Sequence, residues 1–269
     1  MIYHIVTSTS WRRTWPHEIM KWVKIINIIS SKLSLIIIKR SIKLYLQSNL
    51  ISSSSLATMY INKAQDKELR FMFLGDYGWR GKNLTEVGNQ MSAWSVSNTI
   101  TASFVVCLGD NFYHDGVKSV DDMQWNLTFH STFHQESLIN IPFYAILGNH
   151  DYHQVPQAEI DYYYLHKNSS IPIERRWVMP DHNYTAIYNF DNNTTLQVVF
   201  IDTSIIAVKE TEETDINGKW EVSPETKMNH LKWIDETLRL STADWLVVAG
   251  HYTIFSNAEH GDTQGEHIS

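Results

Sequence analysis

Phe104-Val-Val-Cys-Leu108 runs straight into Gly109-Asp-Asn-Phe-Tyr113, and this join decides the fold. A short run of branched and aromatic residues that stops at a polar, glycine-led turn reads as a buried strand entering a loop. The same kind of join recurs four times. Leu69-Arg-Phe-Met-Phe-Leu74 leads to Gly75-Asp-Tyr-Gly78, and Phe143-Tyr-Ala-Ile-Leu147 leads to Gly148-Asn-His-Asp151. Leu196-Gln-Val-Val-Phe-Ile201 leads to Asp202-Thr203, and Trp245-Leu-Val-Val-Ala249 leads to Gly250-His251.

Helical patterns lie between the strands. Val87, Met91, Trp94 and Asn98 fall at i, i+4, i+7 and i+11. Leu231, Ile234 and Leu238 form a second stripe, and Ser223-Pro224 suits its N-cap and first turn. Strand alternating with helix predicts an α/β layered domain whose strands are buried on both faces. In such folds ligands bind at the carboxyl ends of the strands. Here the five strand ends deliver Asp76, Asp110, Asn149, Asp202 and His251, and a glycine before four of them allows a sharp turn. Singly each is ordinary, since Gly-Asp is a common turn and a histidine after an apolar strand is usually core. Jointly, carboxylate, amide and imidazole donors suit one or two divalent or trivalent metal ions.

Composition bounds the rest. The chain has 269 residues, 43% hydrophobic and 19% charged, with 11 Gly, 6 Pro and 1 Cys. That supports one sizeable core and excludes collagen, coiled coil, disordered tail and disulfide-stapled mini-protein. The net charge of −7 argues against nucleic acid as the main partner. Residues 1–66 carry nine Lys/Arg against Glu18 and Asp66, so the remaining −14 falls on residues 67–269. The reading is a basic N-terminal extension over 1–66, outside the domain and either disordered or mispredicted, followed by a catalytic domain over 67–269. The extension has no run of 18 uncharged apolar residues, so no spanning segment is expected. Its apolar run Leu33–Ile38 is too short for a secretory h-region.

With these residues in view, the sequence resembles the purple acid phosphatases, of the small tartrate-resistant type, within the calcineurin-like metallophosphoesterase superfamily. Asp76-x-Gly78, Gly109-Asp-x-x-Tyr113, Gly148-Asn-His-Asp151 and Val248-x-x-His251 carry the likeness, together with Ala258-Glu-His-Gly261. It covers residues 69–267, and Tyr113 is its most specific element. The resemblance implies a β-sandwich of two mixed sheets flanked by helices, and an acid phosphatase that hydrolyses phosphate monoesters with a metal-activated hydroxide. It implies Fe(III) held by Asp76, Tyr113 and bridging Asp110, and a second ion, Fe(II), Zn or Mn, held by Asp110, Asn149 and His251. His150 and His260 would line the pocket as catalytic groups, and Asp151 would orient His150. Small-molecule or protein phosphate monoesters would be the substrates, the enzyme would be a monomer, and its location would be secreted or lysosomal.

The family's fifth motif, Gly-His-x-His, does not occur in the sequence. The chain is therefore expected to be C-terminally truncated, with the last part of the second sheet missing. The alternative is a truncated non-catalytic product or pseudo-enzyme. Sequons at Asn83, Asn126, Asn168, Asn183, Asn192 and Asn193 fit a glycoprotein. Cys107 sits mid-strand and reads as a small buried hydrophobe, and the acidic stretch 209–219 reads as an exposed loop.

Overall fold

A computed structural model of the chain describes residues 23–27, 34–40, 57–97, 102–207 and 222–252. In chain order its elements are β1 (Val23–Asn27), β2 (Ser34–Arg40), β3 (Thr58–Lys63), β4 (Phe71–Leu74), α1 (Lys82–Ser97), β5 (Phe104–Leu108), β6 (Phe143–Ile146), α2 (Gln157–His166), α3 (Pro172–Arg175), β7 (Trp177–Val178), β8 (Tyr184–Phe190), β9 (Thr194–Phe200), α4 (Thr203–Ala207), α5 (Pro224–Leu240) and β10 (Trp245–Gly250). All five strands expected from the apolar runs are present, within two residues at each end.

The strands form two sheets. One is wholly parallel, in the order β4-β5-β6-β7; the other is mixed, in the order β1-β2-β10-β9-β8-β3. Residues 1–66 contribute three strands to the mixed sheet: β2 pairs antiparallel with β10, β1 with β2, and β3 runs parallel to β8. The other residues of that segment before 57 lie outside the described set, as does the acidic stretch 209–219. Among the described residues no helix is long and apolar enough to cross a membrane.

Alternation along β5 explains the layering. Side chains of a strand point to opposite faces, so Phe104, Val106 and Leu108 face the mixed sheet, while Val105 and Cys107 face the helices. The first set packs with Tyr184, Tyr188, Val198, Phe200, Val247 and Ala249 into the core between the sheets. The second packs with Leu84 of α1, Trp125, Phe129 and Phe133 of the segment before β6, and Trp177. On the far side Trp233, Ile234 and Leu238 of α5 cover Val199, Ile201 and Leu246. Each large apolar side chain so buried contributes on the order of 1.5–3 kcal/mol. Ser223 caps α5, its hydroxyl accepting from the Thr226 N–H at 3.0 Å, with Pro224 in the first turn as expected. The α1 face keeps only part of the expected stripe. Met91 packs on the core, but Val87 is exposed and the fully buried positions are Leu84, Gly88 and Ser95, while Asn98 lies outside the described residues. A Cβ on Gly88 would strike the Thr132 carbonyl, so a bare residue there lets the helix sit against that segment.

Register places the site. Val105 pairs with Phe143 and Phe71 with Phe104, so β4, β5 and β6 end at one level. Their three loops therefore emerge side by side, next to the ends of β9 and β10.

Candidate metal centre

The loops after β4 and β5 are laced together before any side chain acts. The Asp76 N–H donates to the Gly109 carbonyl, Gly78 N–H to the Asp110 carbonyl, and Tyr113 N–H to the Gly78 carbonyl, at 3.1–3.2 Å. Asp76 and Asp110 both take positive φ, 51° and 53°, a conformation that Asp tolerates better than most residues. Gly109, at φ 83°, completes the second turn. The result aims two carboxylates at one point.

Asp110 is buried and uses its two oxygens on different neighbours. Oδ2 accepts from the Tyr113 hydroxyl at 2.5 Å, and that hydroxyl also lies 3.2 Å from Asp76 Oδ1. Oδ1 accepts from the His150 N–H at 3.1 Å and lies 3.5 Å from His251 Nε2. The His251 ring is fixed from behind, with Nδ1 2.8 Å from the Leu108 carbonyl. A carbonyl only accepts, so Nδ1 carries a hydrogen and Nε2 is the ring atom turned to the centre. Nε2 faces Asp110 Oδ1 and, at 3.2 Å, Asn149 Oδ1. With the ring neutral these three atoms are all acceptors, a set that a cation can satisfy at once. Asp76, Asp110 and His251 offer ligand atoms all within 4.8 Å of one another. On the other side of Asp110, burial and the facing Asp110 and Asp76 carboxylates push the Tyr113 hydroxyl's ionisation upward. A metal ion reverses that balance, because its charge replaces the phenol proton. The donor set thus fits hard ions on both sides of a shared carboxylate.

The structure brings Asp76, Asp110, Tyr113, Asn149 and His251 together, and places His150 beside them, its ring centroid 4.5 Å from that of Tyr113. Two expectations change. Asp202 ends its strand as the others do, but turns away from the centre. Its buried carboxylate takes a short bond from the Tyr152 hydroxyl and lies 2.9 Å from His182 Nδ1, with Ser204 N–H on its other oxygen. Asp151 does not orient the His150 ring. The His114 carbonyl does, 2.7 Å from His150 Nδ1, while Asp151 is wholly buried and bound to backbone N–H groups of both loops. His260 lies outside the described residues. Sequence reasoning missed Thr203, whose hydroxyl accepts from the His251 and Tyr252 N–H groups at 3.0 and 2.8 Å and so ties the end of β10 to the start of α4. It also missed His182. Burial disfavours the charged His182 ring, yet the bond to Asp202 and its negative charge outweigh this and raise the ring's pKa.

A raised histidine pKa stabilises the fold below the unfolded value of about 6.5, and that contribution is lost as pH rises through the folded value. His182→Gln should therefore lower the urea midpoint more at pH 5.5 than at pH 9. Equal losses at both pH values would show that the His182–Asp202 pair carries no charge.

Comparison with known proteins gives the family and the fold. Residues 69–267 match the family model described as calcineurin-like phosphoesterase. Tartrate-resistant acid phosphatase type 5 of Mus musculus is 30% identical over 201 residues, 73% of this chain and 59% of that protein. Purple acid phosphatase 7 of Arabidopsis thaliana is 30% identical over 208 residues, 76% of this chain and 59% of that protein. Among solved structures, the Plasmodium protein titled "GAP50 the anchor in the inner membrane complex" superimposes with a TM-score of 0.60 at 22% identity, covering 72% of this chain and 58% of its own. The last similarity speaks to fold. The chain thus spans about six-tenths of the length of each of these relatives.

Proposed function

The chain belongs to the calcineurin-like phosphoesterase family, and from that premise we propose that it hydrolyses phosphate monoesters at a two-metal centre, as an acid phosphatase. The observation that carries the reading is Asp110, buried, with one oxygen on the Tyr113 hydroxyl, which also meets Asp76, and the other toward His251. Asp76, Tyr113 and Asp110 would hold Fe(III), for which a phenolate and two carboxylates are hard anionic donors. Asp110, Asn149 and His251 would hold the second ion, Fe(II), Zn or Mn. When bound, the pair supplies an acidified water and positive charge for the phosphate oxygens.

The protein groups do the remaining work. Asp110 fixes both ligand sets relative to each other through one short side chain. Leu108 sets the His251 tautomer, and Thr203 holds its backbone. His150 is pinned through Nδ1 to the His114 carbonyl, so its Nε2 is the atom free to exchange a proton. Its place beside Tyr113 suits it to protonate the leaving alkoxide oxygen. His260 is assigned the companion role at the phosphate, while Asp151 supports the loops. Small-molecule and phosphoprotein monoesters are the substrate class. A secreted or lysosomal glycoprotein is favoured by sequons whose Asn is exposed, at positions 83, 126, 168, 192 and 193. Asn183 is not among these, because its amide is engaged with the Asp202 N–H and His230.

The test is iron loading followed by assay on an aryl phosphate monoester and its diester. Monoester turnover should dominate, and ferric loading should give a visible tyrosinate charge-transfer band. Tyr113→Phe should lose the band while keeping its circular dichroism. A preference for the diester, or a band that survives in Tyr113→Phe, would refute this reading.

A further inference from the structure

Trp79 stands beside the metal centre and outside the fold's interior. The loop after β4 first sends Tyr77 inward, where it is buried and its ring packs on Phe133 at 5.8 Å. Two residues on, Trp79 turns the other way and is 57% exposed. It belongs to none of the hydrophobic cores among the described residues. Its ring neighbours are instead two residues of the Asp110 loop, His114 edge-on at 4.3 Å and Tyr113 tilted at 5.8 Å. A single exposed aromatic is ordinary on a protein surface. This one is set apart by its position and by how firmly it is held.

The main chain fixes it from below. Gly78 N–H donates to the Asp110 carbonyl at 3.1 Å, and the Gly78 carbonyl accepts from the Tyr113 N–H at 3.2 Å. A Cβ at Gly78 would strike the main chain of Asn111 and Phe112, so a bare residue lets the two loops touch directly before Trp79. His114 is anchored in turn, its carbonyl lying 2.7 Å from His150 Nδ1 and 3.3 Å from His153 Nδ1. The indole therefore rests on a residue that is itself tied to the loop after β6. The rings of His153, His150, Tyr113 and Trp79 follow one another at centroid distances of 4.9, 4.5 and 5.8 Å. Tyr113 is inside this line, and its hydroxyl is bonded to Asp110. Trp79 is thus one ring removed from the proposed ligands.

A phosphate seated at Asp110 and Tyr113 would place its organic group beside this line of rings. An aryl ester carries a flat ring one oxygen away from phosphorus, within a side chain's reach of Tyr113 and its neighbour. Aromatic rings attract one another in offset or edge-to-face pairs, and the indole offers a large surface for this. A platform already held in place loses little freedom when the ligand arrives. We propose that Trp79 is a specificity-determining residue: its exposed indole packs against the aromatic leaving group of an aryl phosphate monoester and favours that class over alkyl esters. The inference rests on the two-metal reading, which seats the phosphate.

The test uses the full chain loaded with metal, comparing wild type, Trp79→Phe and Trp79→Ala. The probes are phenylphosphonate and methylphosphonate, whose P–C bonds resist hydrolysis, so binding is read without turnover. In Trp79→Ala the affinity for phenylphosphonate should fall about 3–10-fold, the size of one lost aromatic pair, and that for methylphosphonate by less than about twofold. Trp79→Phe should keep most of the preference, because a smaller ring still packs. With phenyl phosphate as substrate, the loss in Trp79→Ala should appear in KM rather than kcat, as for a contact made equally before and during the reaction. An unchanged affinity for phenylphosphonate in Trp79→Ala, or a loss as large in Trp79→Phe, would overturn the proposal. So would an equal loss for both phosphonates, or loss of the tyrosinate band in Trp79→Ala, since either would make the indole a prop for Tyr113. A wild type that takes up no metal, or binds neither phosphonate, would defeat the two-metal reading and this inference with it.

Discussion

Asp110→Asn should reduce turnover of an aryl phosphate by at least about 10³-fold, well beyond the 10–100-fold typical of residues one step removed from a metal. The reason is geometric. Asp110 is the one side chain that faces both ligand sets, with Oδ2 toward Tyr113 and Oδ1 toward His251. An amide has one acceptor oxygen and no negative charge, so it can serve one ion at most, and its NH₂ would point a donor at the other site. Bound metal should accordingly drop from two ions per chain to one or none. The apo fold should survive, because the substitution keeps the shape and removes a charge that repels the buried Asp151. Metal content per chain, thermal unfolding without metal, and turnover together make the test. Near-normal turnover with two ions retained would sink the shared-carboxylate mechanism.

The parts of this site that the sequence discloses are those written in local chemistry. An apolar run, a glycine and a short polar residue specify a strand end wherever they occur, so Asp76, Asp110, Asn149 and His251 are legible as a set. What a strand end cannot disclose is the direction of its side chain. Asp202 obeys the same rule and turns away, because His182, twenty residues earlier in no recognisable motif, and Tyr152 hold it. Adjacency in sequence suggests Asp151 as a partner for His150. The His150–His153 turn, however, sends neighbouring side chains to different sides, and Asp151 goes inward.

The burial of Glu159 is invisible in the sequence for a related reason. A glutamate in Gln157-Ala-Glu-Ile160 reads as the solvent face of a helix, and its burial is a tertiary fact, with Ala158 and Ile160 in the core beside it and the Asn111 amide on its carboxyl group. In α1 the expected stripe holds at Met91 and fails at Val87, since a glycine at 88 contributes nothing to an apolar pattern yet sets the face that packs. Strands β3 and β8 go unread because Thr58-Met-Tyr-Ile-Asn-Lys63 and Tyr184-Thr-Ala-Ile-Tyr-Asn-Phe190 mix polar and apolar residues, although β8 is largely buried. Long-range pairing, not composition, makes them strands.

Gly148→Ala should lower kcat by about 10²-fold while the protein stays folded, the size of loss expected when a reacting group moves by roughly 1 Å. The sequence reads this glycine as a residue that eases a turn, but its φ is not in the left-handed region, and alanine could adopt the backbone. Space is the constraint. A Cβ here would strike the Asp110 carboxylate oxygen and backbone nitrogen, with Asp110 Cγ at 3.0 Å. Asp110 cannot yield freely, being held by the His150 N–H and the Tyr113 hydroxyl. The methyl group must therefore displace the carboxylate proposed to bridge the two ions, for an overpacking cost of about 1–3 kcal/mol. Gly88→Ala is the informative comparison. Its Cβ would strike the Thr132 carbonyl, a contact of α1 with the segment before β6 that involves no proposed ligand. It should cost similar stability and much less turnover per folded molecule. Equal kinetic losses in the two variants would mean that tight packing in general, rather than the seat of Asp110, governs the chemistry.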